Sequence, residues 1–395
     1  MAQKCAEGEQ IEDLQYTKTT LPQVGMTSNK TSFLTSFVVR GIITTFVKTK
    51  KMKFNITRQQ VLPSLATLFF TCLIGVYSLI MGEHTGVGLA PCGSMLGGYV
   101  TDFQNAHRVL SAIGVGIVIF LLAINLGGLV SRNNLYSTTT HIQIPLLGML
   151  LWAVCLNEEF LLSVLLAAFC AQIVGGFLIS VRNGLILGPL FNASLLLSLL
   201  PLFYPSAVVM WGVVPIALIL INVTSREWIV SFFGLLLPIA TLSYIYWMMG
   251  EDLLFVGRTM LEQLLHPSNL FSLSVILPFR FLIVALGLLL SLFSLLWVGG
   301  DVHKSRVRLQ IIIVMFLASL ATIVSPSATM LTLPLVTPMT VVLASLALVN
   351  LNGRVVNFIY FLIMALLLLA FFVPQYVTLP LDLGWIEGYW AGFGF

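Results

Sequence analysis

Residues 222–252 read NVTSREWIVSFFGLLLPIATLSYIYWMMGED. A polar corner, Thr224-Ser225-Arg226-Glu227-Trp228, opens about 20 apolar residues, and the acids Glu251-Asp252 close them. A helix of that length, rising ~1.5 Å per residue, crosses a hydrocarbon core of ~30 Å. A base at one end and acids at the other orient it, with Arg226 on the cytoplasmic side. Outward in both directions the same unit recurs: an apolar run, a corner with a base, another run, a corner without one.

Composition agrees with that reading. The chain has 395 residues, 58% hydrophobic and 9% charged, with a mean hydropathy of +1.01. A soluble domain carries about 25% charged residues. The corners are too short to hold a soluble catalytic domain. The net charge of +4 is no nucleic-acid signal, because the bases gather before residue 60 or stand singly between apolar runs. The expected surroundings are the lipid bilayer. Of the five cysteines, Cys72, Cys155 and Cys170 fall in apolar runs and act as small hydrophobes. With Cys5, only Cys92 lies in a polar stretch, and no spacing fits a metal site.

Taken in order, residues 1–51 form a polar, basic extension without the apolar core of a signal peptide. Within it 32–47, followed by Lys48, Lys50, Lys51, Lys53 and Arg58, suits an interfacial helix on an anionic leaflet, with a short first span as the rival. Met52 is a candidate start. Residues 52–378 make the transmembrane domain. Spans are expected at Val61–Met81, Arg108–Val130, Ile142–Leu156, Phe160–Ser180, Gly184–Tyr204 and Ala207–Val223, then from Arg226, and at Phe271–Val298, Leu309–Val324, Ala328–Val349 and Val355–Val377. Between the first two lies a polar, glycine-rich loop, Gly82–His107. Residues 250–269 place apolar side chains at near-helical spacing and are expected flat on the outer surface. Residues 379–395 form an aromatic tail. The expected fold is therefore all-α, a polytopic bundle of about eleven spans with the N-terminus inside and the C-terminus outside. The anchors are the N-terminal bases with Arg132, Arg182, Arg226, Lys304, Arg306, Arg308 and Arg354.

Few residues offer chemistry. Arg280 lies within an apolar run. If the helix starts at Phe271, the guanidinium is roughly 14 Å deep and must face a cavity or a partner. If it starts at Pro278, a residue favoured in a first helical turn, Arg280 sits at the outer interface. Glu83, Asp102 and His107, in the glycine-rich loop, complete the candidate substrate-binding set. Glu158 and Glu159 are adjacent and so point to different sides of a helix. Asn192 and Asn222 are expected to hydrogen-bond between helices. Which residues would be catalytic, if any, the sequence does not identify; no metal site or cofactor is expected.

The Arg132-Asn133 corner, the run from Phe191-Asn192-Ala193 to Leu202-Phe203-Tyr204-Pro205, and Ser225-Arg226-Glu227-Trp228-Ile229-Val230 with Gly234-Leu235 and Pro238 resemble a Bacteroidota family of multi-pass inner-membrane proteins built on a domain of unknown function. The likeness covers roughly residues 60–380 and rests on structural corners. It implies a bacterial inner-membrane location and carries over no catalytic residue. The long N-terminus departs from the family's short start. Some members bear an oxygenase-like label, but the five histidines here are scattered and form no iron site. Three classes of function remain. They are envelope biogenesis, handling an amphiphilic or lipid-linked substrate at the outer face; a noncatalytic scaffold for an envelope complex; and a secondary transporter, which the charge-poor spans disfavour.

Overall fold

A computed structural model of the chain describes residues 61–81, 94–133, 135–136, 140–156, 159–182, 187–265, 280–295 and 303–372. The expected interfacial helix at 32–47, Glu83 and the aromatic tail lie outside them. The described residues are helical throughout, joined by turns. In order they form α1 (Val61–Met81), α2 (Gly97–Ala106), α3 (Arg108–Arg132), α4 (Gln143–Cys155), α5 (Phe160–Arg182) and α6 (Leu187–Phe203). A 3-10 helix (Pro205–Gly212) leads into α7 (Val213–Ile221), followed by α8 (Ser225–Met248), α9 (Phe255–Leu265), α10 (Arg280–Ser294) and α11 (His303–Ala321). A 3-10 turn (Thr322–Val324), α12 (Thr332–Asn350) and α13 (Gly353–Phe372) complete it.

Each of the eleven apolar runs read from the sequence contains a helix among its described residues, though the helices stop short of some expected bounds, as at Leu156, Tyr204, Val223 and Ala328–Leu331. Seven helices are long and apolar enough to cross a membrane, the make-up of a multi-pass membrane protein. The four shorter ones are Gln143–Cys155, Leu187–Phe203, Pro205–Ile221 and Leu282–Ser294. Two of these have a physical account. Pro205–Ile221 begins as a 3-10 helix of eight residues. At ~2 Å rise per residue there and ~1.5 Å in α7, it reaches about 30 Å. Helix α4 has only 13 residues, all buried. It meets no lipid, so its length need not match the bilayer.

The centre is α4 packed against α12, and 83% of the apolar window of α12 is buried. Around α4 stand α1, α3, α5, α10 and α13. Small residues let the backbones close up. A Cβ on Gly75 of α1 would lie 2.4 Å from the Trp152 ring of α4, and one on Gly148 would lie 2.4 Å from Leu68 Cδ1. Leu68 and Gly75 thus meet Gly148 and Trp152 in the same order, so α1 and α4 run parallel. Helix α8 is the most peripheral of the long helices, with 17% of its window buried.

The corner read first is built as its residues demand. Asn222 adopts φ 58° at the end of α7. Val223 N–H bonds the Leu218 carbonyl at 3.3 Å, and Asn222 N–H the Ile219 carbonyl at 3.1 Å. That double bond pattern around a left-handed residue is a helix stop that asparagine tolerates. Thr224 and Glu227 then form a capping box that starts α8, with the Glu227 carboxylate accepting the Thr224 N–H at 2.8 Å. Asn222 is therefore a helix cap, and Asn192 is exposed on α6. Neither makes the expected interhelical bond, because both side chains are exposed, Asn222 at the left-handed end of α7 and Asn192 away from the bundle.

Candidate functional site

The end of the bundle that holds Tyr204 gathers its polar groups through two broken helices. Helix α6 stops at Phe203 and the chain turns at Tyr204-Pro205; α11 runs into a 3-10 turn and breaks at Ser325-Pro326. These breaks face one another. The fully buried Tyr204 hydroxyl lies 2.6 Å from Thr332 Oγ1 and accepts the Thr329 N–H at 2.9 Å. Ser206 Oγ lies 2.8 Å from Ser327 Oγ, which is 3.3 Å from Ser325 Oγ. The network is a set of neutral hydroxyls with no acid or base within it. It can bind and align, but it has no group to activate a nucleophile.

Two short helices flank this network. Leu96, just before α2, donates its N–H to the Leu202 carbonyl at 3.0 Å. Gln104 of α2 accepts the Leu161 N–H at 2.9 Å and so caps the start of α5. Val256 and Met260 of α9 pack with Leu202, beside Met95, Leu96, Trp211 and Tyr246. The outward sides of both helices mix rings and aliphatic side chains with charges: Tyr99, Phe103, Leu261 and Leu265 are exposed, and so are Asp102, Arg258 and Glu262. The helical reading of 250–269 holds for Phe255–Leu265. The glycine-rich loop, read as irregular, contains α2. Its signal was Tyr99-Val100 followed by Phe103-Gln104 at helical spacing, masked by the glycines. One of these is needed for contact, because a Cβ on Gly97 would lie 2.9 Å from the Phe203 carbonyl.

Of the candidate residues, Asp102 and His107 have described side chains, and both stand on or beside α2. Asp102 on α2 and His107 at its C-terminal cap are exposed, and the His107 ring packs tilted against Phe103, with centroids 5.2 Å apart. Arg280 is the first residue of α10, and its side chain lies outside the described residues, as does all of Glu83. Among the described residues no three metal-binding side chains cluster.

Arginine does specific structural work that sequence reading missed. Arg108, at the start of α3, donates to the Leu79 carbonyl in the last turn of α1 at 3.4 Å. Arg308, near the start of α11, donates to the Asn133 carbonyl at the end of α3 at 2.7 Å. Each cation sits where a neighbouring helix dipole is negative. The described residues of the Asn133–Gln143 connection are correspondingly tucked in. Asn133, Leu135, Thr140, Ile142 and Gln143 are buried, and the Tyr136 hydroxyl bonds the Val342 carbonyl of α12 at 2.8 Å. Arg132, Arg226 and Arg354 are exposed. The side chains of Arg182, Lys304 and Arg306 lie outside the described ones. Comparison of the chain with protein-family models, with curated proteins and with solved structures finds no match in any of the three.

Proposed function

We propose that this chain is an eleven-span protein of a bacterial inner membrane, N-terminus inside and C-terminus outside, serving envelope biogenesis by holding an amphiphilic, lipid-linked substrate at its outer face. The observation that carries the reading is the build of the Tyr204 end. There a buried, neutral hydroxyl network lies beside two amphipathic helices that expose Tyr99, Phe103, Leu261 and Leu265 together with Asp102, Arg258 and Glu262. Apolar side chains at the rim suit an isoprenoid or acyl tail, and hydroxyls suit a sugar or phosphate ester.

Arg280 completes the site in this reading. Thr340 of α12 lies against Gly287 of α10. Seven residues back from Gly287 is Arg280, and eight back from Thr340 is Thr332, a member of the hydroxyl network. In an alternating bundle α10 and α12 run parallel, so the register brings Arg280 to the level of Thr332. A guanidinium there offers two parallel donors to a phosphate.

Depletion of the protein is expected to make lipid-linked envelope precursors accumulate. Arg280→Lys, which keeps the charge and loses the fork, is expected to accumulate normally and fail to complement a deletion. An unchanged precursor pool together with the dissociation of an envelope complex would replace this reading with a scaffold. The scaffold has one specific observation in its favour, the hydroxyls bonding one another.

A further inference from the structure

Three amides interrupt the apolar surface along one flank of the bundle. Asn125 on α3, Gln172 on α5 and Asn192 on α6 are exposed, and none of them hydrogen-bonds within the protein. Several other exposed or half-buried polar residues in the apolar helices hide their groups against their own backbone. Thr67 donates to the Pro63 and Ser64 carbonyls, Thr241 to Leu237, and the Asn350 amide to Leu346. An amide left bare in hydrocarbon is costly, and membrane helices pair such groups with one another.

The three lie on neighbouring helices, since α3 packs on α5 and α5 on α6. Gln104, just before α3, caps the start of α5, so both helices leave the same end of the bundle. Leu129 of α3 lies against Gly175 of α5. Stepping back four and three residues puts Asn125 and Gln172 at one level. Pro189 and Ala193 of α6 lie against Gly176, which puts Asn192 within about a turn of them. Among the described side chains of α5 only Gln172 and Ile179 are exposed. Helix α5 is thus the floor of a groove whose walls are α3 and α6. Beside the wall amides the surface is notched. Gly128 stands one turn from Asn125 and Gly188 one turn from Asn192, and a Cβ on either would meet nothing within 4 Å.

Gln172 lies ten residues from Arg182, ~15 Å into a core of ~30 Å. At that depth lipid offers only chain, so the occupant must bring its own polar groups to the same level. A two-fold axis along the membrane normal carries every residue to its own depth, and it joins a patch to itself. We propose that this flank is a homodimer interface within the membrane, in which Asn125, Gln172 and Asn192 pair with the same three residues of a second copy across the glycine notches.

The test uses the full-length chain with its five cysteines replaced, in native membranes. Ile179→Cys, on the groove floor, is expected to form covalent dimers with a membrane-permeant bis-maleimide long enough to join the two floors, which the walls hold too far apart for a direct disulfide. Phe358→Cys, exposed on α13, is expected to give at least fivefold less. Adding Asn125→Leu, Gln172→Leu and Asn192→Leu together should cut the Ile179→Cys dimer at least fivefold while the melting temperature in detergent stays put, because leucine suits a lipid-facing position. Equal cross-linking at the two positions overturns the proposal, as does a triple variant that cross-links like its parent, or a copurifying protein or lipid that blocks Ile179→Cys. Should the triple variant fail to accumulate, the comparison of Ile179→Cys with Phe358→Cys decides alone.

Discussion

Removing the Tyr204 hydroxyl strands a backbone N–H. In Tyr204→Phe the Thr329 N–H loses its acceptor and Thr332 Oγ1 loses its partner, both inside protein. The expected loss is about 1–3 kcal/mol, the cost of leaving a buried donor unmade. Ser206→Ala should cost less, about 0.5–1 kcal/mol, because Ser327 keeps Ser325 as a partner. Thermal unfolding in detergent orders the two; a Ser206→Ala variant melting below Tyr204→Phe would refute the network as drawn. None of this was legible in the sequence, where Tyr204 and Ser327 stand 123 positions apart and hydroxyl residues carry no periodic signal. Arg108 and Arg308 teach the same lesson. Their charge was legible and served the topology, but which helix end each one caps depends on packing. Asp102 and His107 were chosen for residue type alone, and their exposure adds no chemistry to that choice.

Helix length and hydropathy were legible because they are local properties, which is why each apolar run holds a helix. Burial was not, since it depends on neighbours. Helix α4 reads like any other apolar run, yet it is the buried axis, and α8, whose corners organise the sequence, is the most lipid-like helix. Trp228 and Trp247 near its two ends are exposed and stand about 28 Å apart along the axis, close to the core thickness that interfacial aromatics mark. Glycine tells buried from exposed faces by experiment. Gly75→Ala drives a methyl into the Trp152 ring, where the nearest atom is only 2.4 Å away. Overpacking of that kind costs about 1–3 kcal/mol. Gly114 on α3 has nothing within 4 Å, so Gly114→Ala is expected to keep full stability. Equal melting temperatures for the two variants would show that α1 and α4 are not in close contact.

Seven crossings or eleven differ in where the chain lies at two exposed corners. If only the seven long helices cross, α4, α6, α7 and α10 leave the chain on the side it came from. Ser225 would then be outside and Asp252 inside. If all eleven runs cross, Ser225 is inside and Asp252 outside. The packing bears on the choice. Gln104, before α3, caps the start of α5, so the α4 segment between them must carry the chain back across the bundle. Phe191 and Ser194 of α6 lie against Gly234 of α8, and Ser198 donates to the Leu235 carbonyl. Those helices thus run parallel, and Pro205–Ile221 must return between them. In intact cells, with native cysteines replaced, Asp252→Cys is therefore expected to react with an impermeant maleimide. Ser225→Cys and Ser131→Cys should react only after the membrane is opened. Ser206, in the corner between the expected spans Gly184–Tyr204 and Ala207–Val223, is fully buried and would report its packing rather than its side. Labelling of Ser225→Cys from outside, with Asp252→Cys protected, would leave seven crossings and move the Arg226 corner to the outer face. The positive-inside assignment that orients the chain would then be lost with it.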